Sequence, residues 1–302
     1  MITIKHLGHL NAIIQHGTVH GAAEALHLTQ SALTRSLGTL EESLGVRLFD
    51  RAKTGMTPTA FCLQIIDRCQ QVLLDIGDIQ READMYRNVE SGQLHVGVGR
   101  AIRELILRET LPEFVSRYPQ VAVTTSDGSP EELVYRIKHR EVDFLLAGVG
   151  SYQEIEGIKH QPLKDIPLSV ITGAKHPLRD CKNIKLEQLV SYPLITPTVL
   201  GPSNPLMAEI LNAENKKHLN PAVLCSDYTT LKAILLRNHS WLLASELQFQ
   251  QEIASGELCK LDVHHPALVI ELSVIELHGR SRSPAAQAFI KLCQEYLDSL
   301  LL

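Results

Sequence analysis

Two short apolar patterns at helical spacing, separated by room for only a tight turn, constrain the fold of this chain more than any other feature. Only His27 and Leu28 lie between Leu26, which ends the first pattern, and Thr29, where the second helix can begin. The apolar positions are Ala22, Ala23 and Leu26 in the first pattern, and Leu33, Leu37, Leu40 and Leu44 in the second. Residues spaced by three or four fall on one face of a helix. The sequence therefore predicts two helices joined by a turn, with the leucine face of the second helix buried.

The start of the second helix carries polar side chains on the opposite face. Thr29 is placed to cap the helix by accepting a backbone N–H bond. The residues that then fall on the outward face of the first turns are Gln30, Ser31, Thr34 and Arg35. Amide, hydroxyl and guanidinium groups in this position are suited to reading base edges in a major groove. The pattern indicates a DNA-recognition helix.

These residues closely resemble the N-terminal winged helix-turn-helix of LysR-type transcriptional regulators. The matched positions are Gly17 to Ala23, Leu26, Thr29 to Thr34, Leu40-Glu41, Leu44-Gly45, Leu48-Phe49 and Arg51. Two positions depart from the family pattern: His20 stands where a small hydroxyl residue is usual, and Thr59-Ala60-Phe61 lacks the usual glycine after the wing. The resemblance extends along the chain through Leu111-Pro112, Phe114, Tyr118-Pro119, Val142-Asp143, His176-Pro177-Leu178 and Ser283-Pro284-Ala285.

A wing is expected to follow the recognition helix. Val46 to Phe49 favours a short strand, and Lys53-Thr54-Gly55 favours a turn before Thr57-Pro58. Arg51 and Lys53 would lie near the DNA backbone or minor groove, the alternative being a solvated basic loop. The predicted DNA-binding residues are therefore Thr18, Thr29, Gln30, Ser31, Thr34, Arg35, Arg51 and Lys53.

The charge of the chain gives only weak support for a nucleic-acid partner. The formal net charge is -5, and residues 1–60 hold five Lys and Arg residues against four Asp and Glu residues. Phosphate contacts supply most non-specific affinity for DNA. We therefore expect weak non-specific binding, and a homodimer or homotetramer that combines several modules on double-stranded promoter DNA.

A long helical pattern runs from Pro58 to about Asn88. Its apolar positions repeat at alternating spacings of four and three, interrupted only by Gln80, and are Cys62, Ile66, Cys69, Leu73, Ile76 and Ala83. About thirty residues at roughly 1.5 Å each give a rod of about 45 Å. Such a rod with one apolar stripe needs a partner, so we predict a dimerisation helix that uses Ile66, Cys69, Leu73 and Ile76.

Strands and helices alternate after Ser91-Gly92, which predicts parallel α/β sheets. The predicted fold is an α+β multidomain chain with a winged helix-turn-helix at 1–60, a linker helix at 61–90 and a regulatory domain at 91–302. This last domain resembles a two-lobed periplasmic-binding-protein clamp. Lobe 1 would hold about 91–162 and 267–302, and lobe 2 about 163–266, with crossings near 161–165 and 264–267.

The carboxyl ends of the predicted strands define a candidate effector cleft. Several of them are also helix N-termini, which attract anions. A small carboxylate is therefore the leading effector class, and no cofactor is expected. The candidate residues are Arg100, Ala101, Ile102, Gly128, Ser129, Thr196, Thr198, Ser203, Asp227 and Ser245.

Other functions are opposed by the sequence or remain open. No G-x-S-x-G elbow surrounds Ser245 and Val96 to Gly99 lacks the third glycine of a dinucleotide loop, so an enzyme is not expected. The six cysteines lack metal spacing, although Cys181 and Cys225 leave a redox-sensing regulator on the same scaffold as an alternative. A transport-type binding protein is opposed by the missing signal peptide. The expected location is cytoplasmic, away from the membrane, with RNA polymerase as a further candidate partner.

Overall fold

The computed structural model describes residues 1–52, 55–87, 92–198 and 221–300. The chain forms two compact units, Met1–Arg87 and Asn88–Leu302. The first unit contains four helices and one hairpin within its described residues, and the second contains mixed α/β layers. The predicted winged helix-turn-helix, long helix and two-lobed α/β domain are confirmed as the fold of this chain.

The first unit packs three helices and the start of a fourth around one apolar core. The elements are α1 (Ile4–His16), α2 (Val19–Ala25), α3 (Gln30–Leu44), β1 (Phe49–Ala52), β2 (Gly55–Pro58) and α4 (Ala60–Arg87). Leu33, Leu37 and Leu40 of α3 are at most 3% exposed, and they join Leu10 and Ile13 of α1 in the core. The predicted leucine face of the second helix is therefore buried, as the spacing required.

The turn between α2 and α3 depends on two threonine caps and one left-handed residue. Thr18 Oγ1 accepts a hydrogen bond from Gly21 N at 3.0 Å, and Thr29 Oγ1 accepts one from Ala32 N at 3.2 Å. His27 lies between the helices at φ 54°, a conformation that histidine adopts more readily than β-branched residues do. This geometry lets the chain reverse within the few residues that the sequence allows.

The hairpin β1–β2 forms the wing and is antiparallel, with Phe49 opposite Pro58. The predicted strand at Val46–Phe49 is wrong in position, because Glu41 Oε1 accepts hydrogen bonds from Leu48 N (2.7 Å) and Phe49 N (3.4 Å). These bonds hold the backbone of Leu48 and Phe49 against α3, so the strand begins only at Phe49. Pro58 belongs to β2, and α4 starts at Ala60 instead of at Pro58.

The apolar stripe of α4 is divided between two environments. Cys62 is fully buried and Ile66 is 8% exposed, both within the core of the first unit. Ile66 therefore has little surface left for a partner chain. Cys69, Leu73 and Ile76 are half-buried further along the helix. The predicted end near Asn88 lies outside the described residues.

The second unit contains a five-stranded sheet in the order β4-β3-β5-β12-β6. Its parallel strands are β3 (Gly92–Gly99), β4 (Val121–Gly128) and β5 (Phe144–Gly148), and its antiparallel strands are β6 (Ile158–Pro167) and β12 (Val269–Leu277). The helices of this lobe are α5 (Arg103–Arg117), α6 (Pro130–Lys138) and the last described helix, α10 (Pro284–Leu300). Phe114 of α5 and Phe289 of α10 meet edge to face at 5.1 Å between centroids. The last strand and helix therefore belong to the first lobe, as the sequence predicts.

The other lobe is built on a three-stranded antiparallel sheet in the order β10-β7-β11. Its strands are β7 (Ser169–Gly173), β8 (Ile195–Thr196), β9 (Val223–Leu224), β10 (Trp241–Ala244) and β11 (Leu258–Lys260), and its helices are α7 (Leu186–Val190), α8 (Tyr228–Leu235) and α9 (Gln250–Ser255). Strands β8 and β9 form a separate parallel pair. Trp241 is 1% exposed and centres this lobe, with Nε1 donating to Leu189 O at 3.0 Å.

Two predictions for the second unit need correction. The five-stranded sheet is mixed rather than parallel, because β12 lies antiparallel to both β5 and β6. The three-stranded sheet is antiparallel throughout. The first lobe crossing does not lie at 161–165, because β6 remains paired with β12 through Pro167. The chain therefore leaves the five-stranded sheet between Pro167 and Ser169. The helix predicted at 203–217 lies outside the described residues.

Two glycines of the first unit should respond to alanine in opposite directions. Gly55 has φ 138°, and a Cβ added there would lie 2.9 Å from Gly17 O, whereas a Cβ at Gly38 would meet nothing within 4 Å. We expect Gly55→Ala to lower the free energy of unfolding by roughly 1–3 kcal/mol. Gly38→Ala, in the middle of α3, should raise it by about 0.5–1 kcal/mol. Urea unfolding of the full chain would measure both, and equal stability of the two variants would contradict the wing geometry.

Candidate functional site

The outward face of α3 carries the first candidate site. Gln30, Ser31 and Arg35 are exposed, and Thr34 is partly exposed, while the leucines on the other face are buried. Ser31 Oγ lies 3.1 Å from Thr29 Oγ1 at the start of the helix. The structure therefore places the polar residues predicted for base reading on one solvent-facing surface at the N-terminal end of α3.

Gln30 contacts His20, one of the two positions that depart from the family pattern. Its Nε2 lies 2.6 Å from Nδ1 of His20, the second residue of α2. His20 Nε2 in turn lies 3.4 Å from Glu24 Oε1. The three side chains form a connected polar row across the α2–α3 corner. Sequence spacing alone gave no signal for this contact, because the residues are ten apart and lie on different helices.

The remaining predicted DNA-binding residues are Thr18, Arg51 and Lys53. Thr18 is exposed and caps α2. Arg51 lies on β1, but its side chain is outside the described part of the chain, as is the whole of Lys53. The wing backbone is held against the end of α1 by the bond from Met56 N to Gly17 O at 3.1 Å. These residues stay predictions for the interface.

The second candidate site is a cavity of about 470 Å³ in the second unit. Its described lining comes from the ends of β3, β4 and β5, from the turn after β5, from the start of β12 and the segment before it, and from Pro130 and Thr198. The lining residues are Gly99, Arg100, Ala101, Ile102, Gly128, Pro130, Ala147 to Gln153, Thr198, Pro266, Ala267, Val269, Ile270 and Glu271. Strand ends and crossover segments thus form one concave surface, the usual place for a ligand in an α/β sheet.

The cavity gathers about half of the residues predicted for the effector. Arg100, Ala101, Ile102, Gly128 and Thr198 line it. Ser129, Thr196, Asp227 and Ser245 are not among its described lining residues, and Ser203 lies outside the described residues.

The four predicted residues that do not line the cavity have their side chains engaged locally. Ser129 closes a capping box with Glu132, and Asp227 accepts bonds from Thr229 N and Thr230 N. Ser245 caps the following 3-10 turn. Thr196 is buried and donates to Thr198 O at 2.7 Å. The residues follow strand ends as expected, but they stabilise their own turns.

Arg100 is the basic residue among the described lining, and it is already paired. Its Nη2 lies 3.0 Å from Glu132 Oε2, and its Nε lies 3.4 Å from Asp127 Oδ2. An anion in the cavity would have to compete with these carboxylates. Glu271 is the other charged lining residue described. Most of the remaining wall is apolar or glycine, so the cavity suits a ligand with one polar end.

One backbone carbonyl at the cavity wall connects the two lobes. Ala101 O, in the turn after β3, accepts a hydrogen bond from Tyr228 Oη at 3.1 Å and another from Gln248 Nε2 at 3.2 Å. Both donors belong to the second lobe, since Tyr228 starts α8 and Gln248 lies in a 3-10 turn after β10. Burial raises the pKa of Tyr228 to about 12, so its hydroxyl remains a donor at neutral pH.

Sequence reasoning missed the half of the cavity built from residues 147–153 and 266–271. Val149, Gly150 and Ser151 form a 3-10 turn directly after β5, and a strand end of this kind was the available signal. The segment before β12 gave no such signal, because it reaches the cavity only through the antiparallel return of β12 to β5.

The cysteines differ in accessibility. All six lie at described positions and are free thiols. Burial raises the pKa of Cys62 to about 11 and that of Cys293 to about 12, so both are poor nucleophiles at neutral pH. Cys181 is exposed, and Cys225 is half-buried.

The described residues contain neither a metal-binding cluster nor a helix that could span a membrane. No group of three or more His, Cys, Asp or Glu side chains in this part of the chain is arranged to hold a metal ion. Among the helices of the described ranges, none combines the length and apolarity needed to span a membrane.

Comparison with known proteins matches both units. Residues 4–63 match the family described as "Bacterial regulatory helix-turn-helix protein, lysR family", and residues 87–298 match the family described as "LysR substrate binding domain". The HTH-type transcriptional regulator CbbR of Rhizobium meliloti is 25% identical over 289 residues, covering 95% of this chain and 91% of that protein. The SDS degradation transcriptional activation protein of a Pseudomonas species is 27% identical over 293 residues, covering 95% and 94%.

Solved structures agree in fold. Full-length OxyR from Pseudomonas aeruginosa superposes with a TM-score of 0.66 at 20% identity, covering 98% of this chain and 95% of that one. Full-length CbnR, solved with its target DNA, superposes with a TM-score of 0.60 at 16% identity, covering 98% and 100%. The family matches span nearly the whole chain and join a helix-turn-helix to a substrate-binding domain. This chain therefore belongs to the LysR family of DNA-binding transcriptional regulators.

Proposed function

We propose that this regulator reads promoter DNA through the outward face of α3 and changes its DNA binding when a small molecule occupies the cavity of the second unit. The observation that carries the first part is the combination of a buried leucine face with exposed Gln30, Ser31 and Arg35 at the N-terminal end of one helix. Such an end can enter a major groove with its side chains directed at base edges. The regulator would work in the cytoplasm on double-stranded DNA, with RNA polymerase as a further partner.

The functional form is proposed to be a homodimer or homotetramer. Residues 1–60 carry a balance of only +1, so a single module has few phosphate contacts to offer. Leu73 and Ile76 are half-buried on α4, and Val72 and Ile79 are 43% and 67% exposed. This apolar surface beyond the core of the first unit supports a second copy of α4 as its partner.

The proposed effector is a small carboxylate with an apolar body. Helix α5 begins beside the cavity and has no side-chain cap at Ile102, so its N-terminal N–H groups favour an anion. Arg100 could exchange Glu132 for the ligand carboxylate. Glu271 on the wall would oppose a second negative charge, which favours monocarboxylates over dicarboxylates. Hydrolysis or other catalysis is not part of this proposal.

The Ala101 carbonyl links occupancy of the cavity to the position of the lobes. A ligand that contacts Ala101 shifts the carbonyl that receives the bonds from Tyr228 and Gln248. Only a difference in affinity between two lobe arrangements can change their populations. We propose that this difference arises at Ala101, and that the changed lobe separation alters the spacing of DNA-binding modules in the oligomer.

The redox-sensing alternative rests on Cys181 and Cys225. Exposure of Cys181 keeps it accessible to an oxidant, whereas Cys62 and Cys293 are shielded. Free thiols do not by themselves indicate redox sensing. The cavity supports a response to a small molecule more directly.

The proposed DNA contact predicts that Gln30→Ala and Arg35→Ala lose sequence preference. One good bidentate base contact contributes about 1–3 kcal/mol of discrimination. Selection of binding sites from a random double-stranded DNA library by the full chain would measure this loss. Gln64→Ala and Arg68→Ala are matched controls, because both residues are exposed on α4. An unchanged site preference for both α3 variants would contradict the proposal.

The lobe contact predicts a specific effect of Tyr228→Phe. Loss of a neutral hydrogen bond should lower the free energy of unfolding by about 1 kcal/mol. A panel of monocarboxylates would be screened by thermal shift on the wild-type chain, and any binder should bind the variant about fivefold more weakly. Tyr135→Phe serves as the control, because Tyr135 is 56% exposed and stacks only on His139 among its described ring contacts. Equal binding by both variants would show that Ala101 is not the coupling point.

The raised thiol pKa values predict an order of alkylation. With iodoacetamide at about pH 8, Cys181 should react first, while Cys62 and Cys293 should stay unmodified until the chain is unfolded. The reason is that thiolate is the reactive form, and burial disfavours it at the latter two positions. Mass spectrometry of peptides after timed quenching gives the rates. Peroxide treatment that abolishes DNA binding in the wild type but not in Cys181→Ser would favour the redox alternative.

A further inference from the structure

His20 and Gln30 meet at the corner where α2 and α3 approach each other. Nδ1 of His20 and Nε2 of Gln30 are 2.6 Å apart, and both residues are exposed. On the other side of the ring, Nε2 lies 3.4 Å from Glu24 Oε1. Gln30 is the first residue of α3, at the start of the surface proposed to read bases. His20 therefore contacts a proposed recognition side chain directly.

The hydrogen-bond chemistry of this row has one consistent direction. An amide nitrogen can only donate, so Nδ1 of His20 must accept. The neutral ring then carries its proton on Nε2, which faces the Glu24 carboxylate. One N–H of Gln30 is used by His20, and its second N–H and Oε1 remain available. That remaining pair, one donor and one acceptor, is the pair that a glutamine uses to read adenine.

We propose that His20 is a positioning residue for DNA recognition, which sets the orientation of the Gln30 amide and thereby the base that Gln30 selects. This inference rests on the proposed base-reading role of Gln30. His20 acts by holding the amide before DNA arrives, so less rotational freedom is lost on binding. Ordering one side chain before binding changes affinity by roughly twofold to tenfold.

Protonation of His20 reverses the chemistry at Nδ1. The imidazolium donates from both nitrogens, so the Gln30 amide must turn to present Oε1 to His20. Both N–H groups then face away from His20, and they match base edges that present acceptors, such as guanine N7 and O6. Two side chains face the His20 ring within the described residues. Glu24 of α2 carries a charge, and Gln30 of α3 presents a neutral amide.

The test uses the full chain and a random double-stranded DNA library, with selection at about pH 8 and about pH 5.5, on either side of the range in which histidines change charge. The variants are His20→Ala, His20→Gln, Gln30→Ala and the double variant His20→Ala with Gln30→Ala. His20→Gln is the conservative variant, because its side-chain oxygen can accept from Gln30 at either pH. Circular dichroism checks that each variant is folded.

The wild type should prefer adenine at one position at the higher pH and lose that preference at the lower pH. His20→Gln should keep the adenine preference at both pH values, and His20→Ala should weaken it about twofold to tenfold at the higher pH. The double variant should match Gln30→Ala, because His20 acts through Gln30. Additive losses, or a pH-dependent preference that persists in His20→Ala, would overturn the inference. A wild-type chain that selects no sequence would instead contradict the proposed function.

Discussion

Burial of the leucine face of α3 is the constraint on which the DNA-reading surface depends. Leu33, Leu37 and Leu40 lose nearly all contact with water, and burial of one such side chain is worth about 1.5–3 kcal/mol. Because side chains on a helix are fixed at 100° intervals, this burial also decides which residues remain outside. Gln30 and Arg35 are exposed for that reason. The same burial that stabilises the first unit therefore orients its polar surface.

In the second unit, the corresponding constraint is the return of β12 to a place between β5 and β6 in the five-stranded sheet. It pairs with β5 along Leu272 to Ile275 and with β6 along its whole length. This pairing encloses the cavity, because it brings the segment before β12 next to the ends of β3 and β5. A carbonyl at that same place, Ala101 O, accepts bonds from two side chains of the other lobe. The cavity and the lobe contact thus share one piece of backbone.

Polar residues at strand ends divide into two physical groups. Ser129, Asp227 and Ser245 satisfy N–H groups at the start of the helix or turn that follows them, and free donors at such ends are costly when buried. Ala101, Gly128 and Gly148 offer no side-chain hydrogen bond, yet they line the cavity because small residues leave space. Capping and ligand contact therefore compete for the same positions, and the small residues are the better markers of the cavity.

Local information in the sequence was enough to determine the buried face of α3, the cap at Thr29, the long helix and most strands of the second unit. These features depend on residues within one or two turns of each other, so periodicity and capping patterns reveal them. The position of β1, the mixed sheet and the second half of the cavity were decided only by tertiary structure. Glu41 holds Leu48 and Phe49 across a corner, β12 returns from more than a hundred residues away, and His20 meets Gln30 between two helices. Each of these contacts joins side chains or strands whose separation along the chain says nothing about their distance in space, so only the packed fold could bring them together.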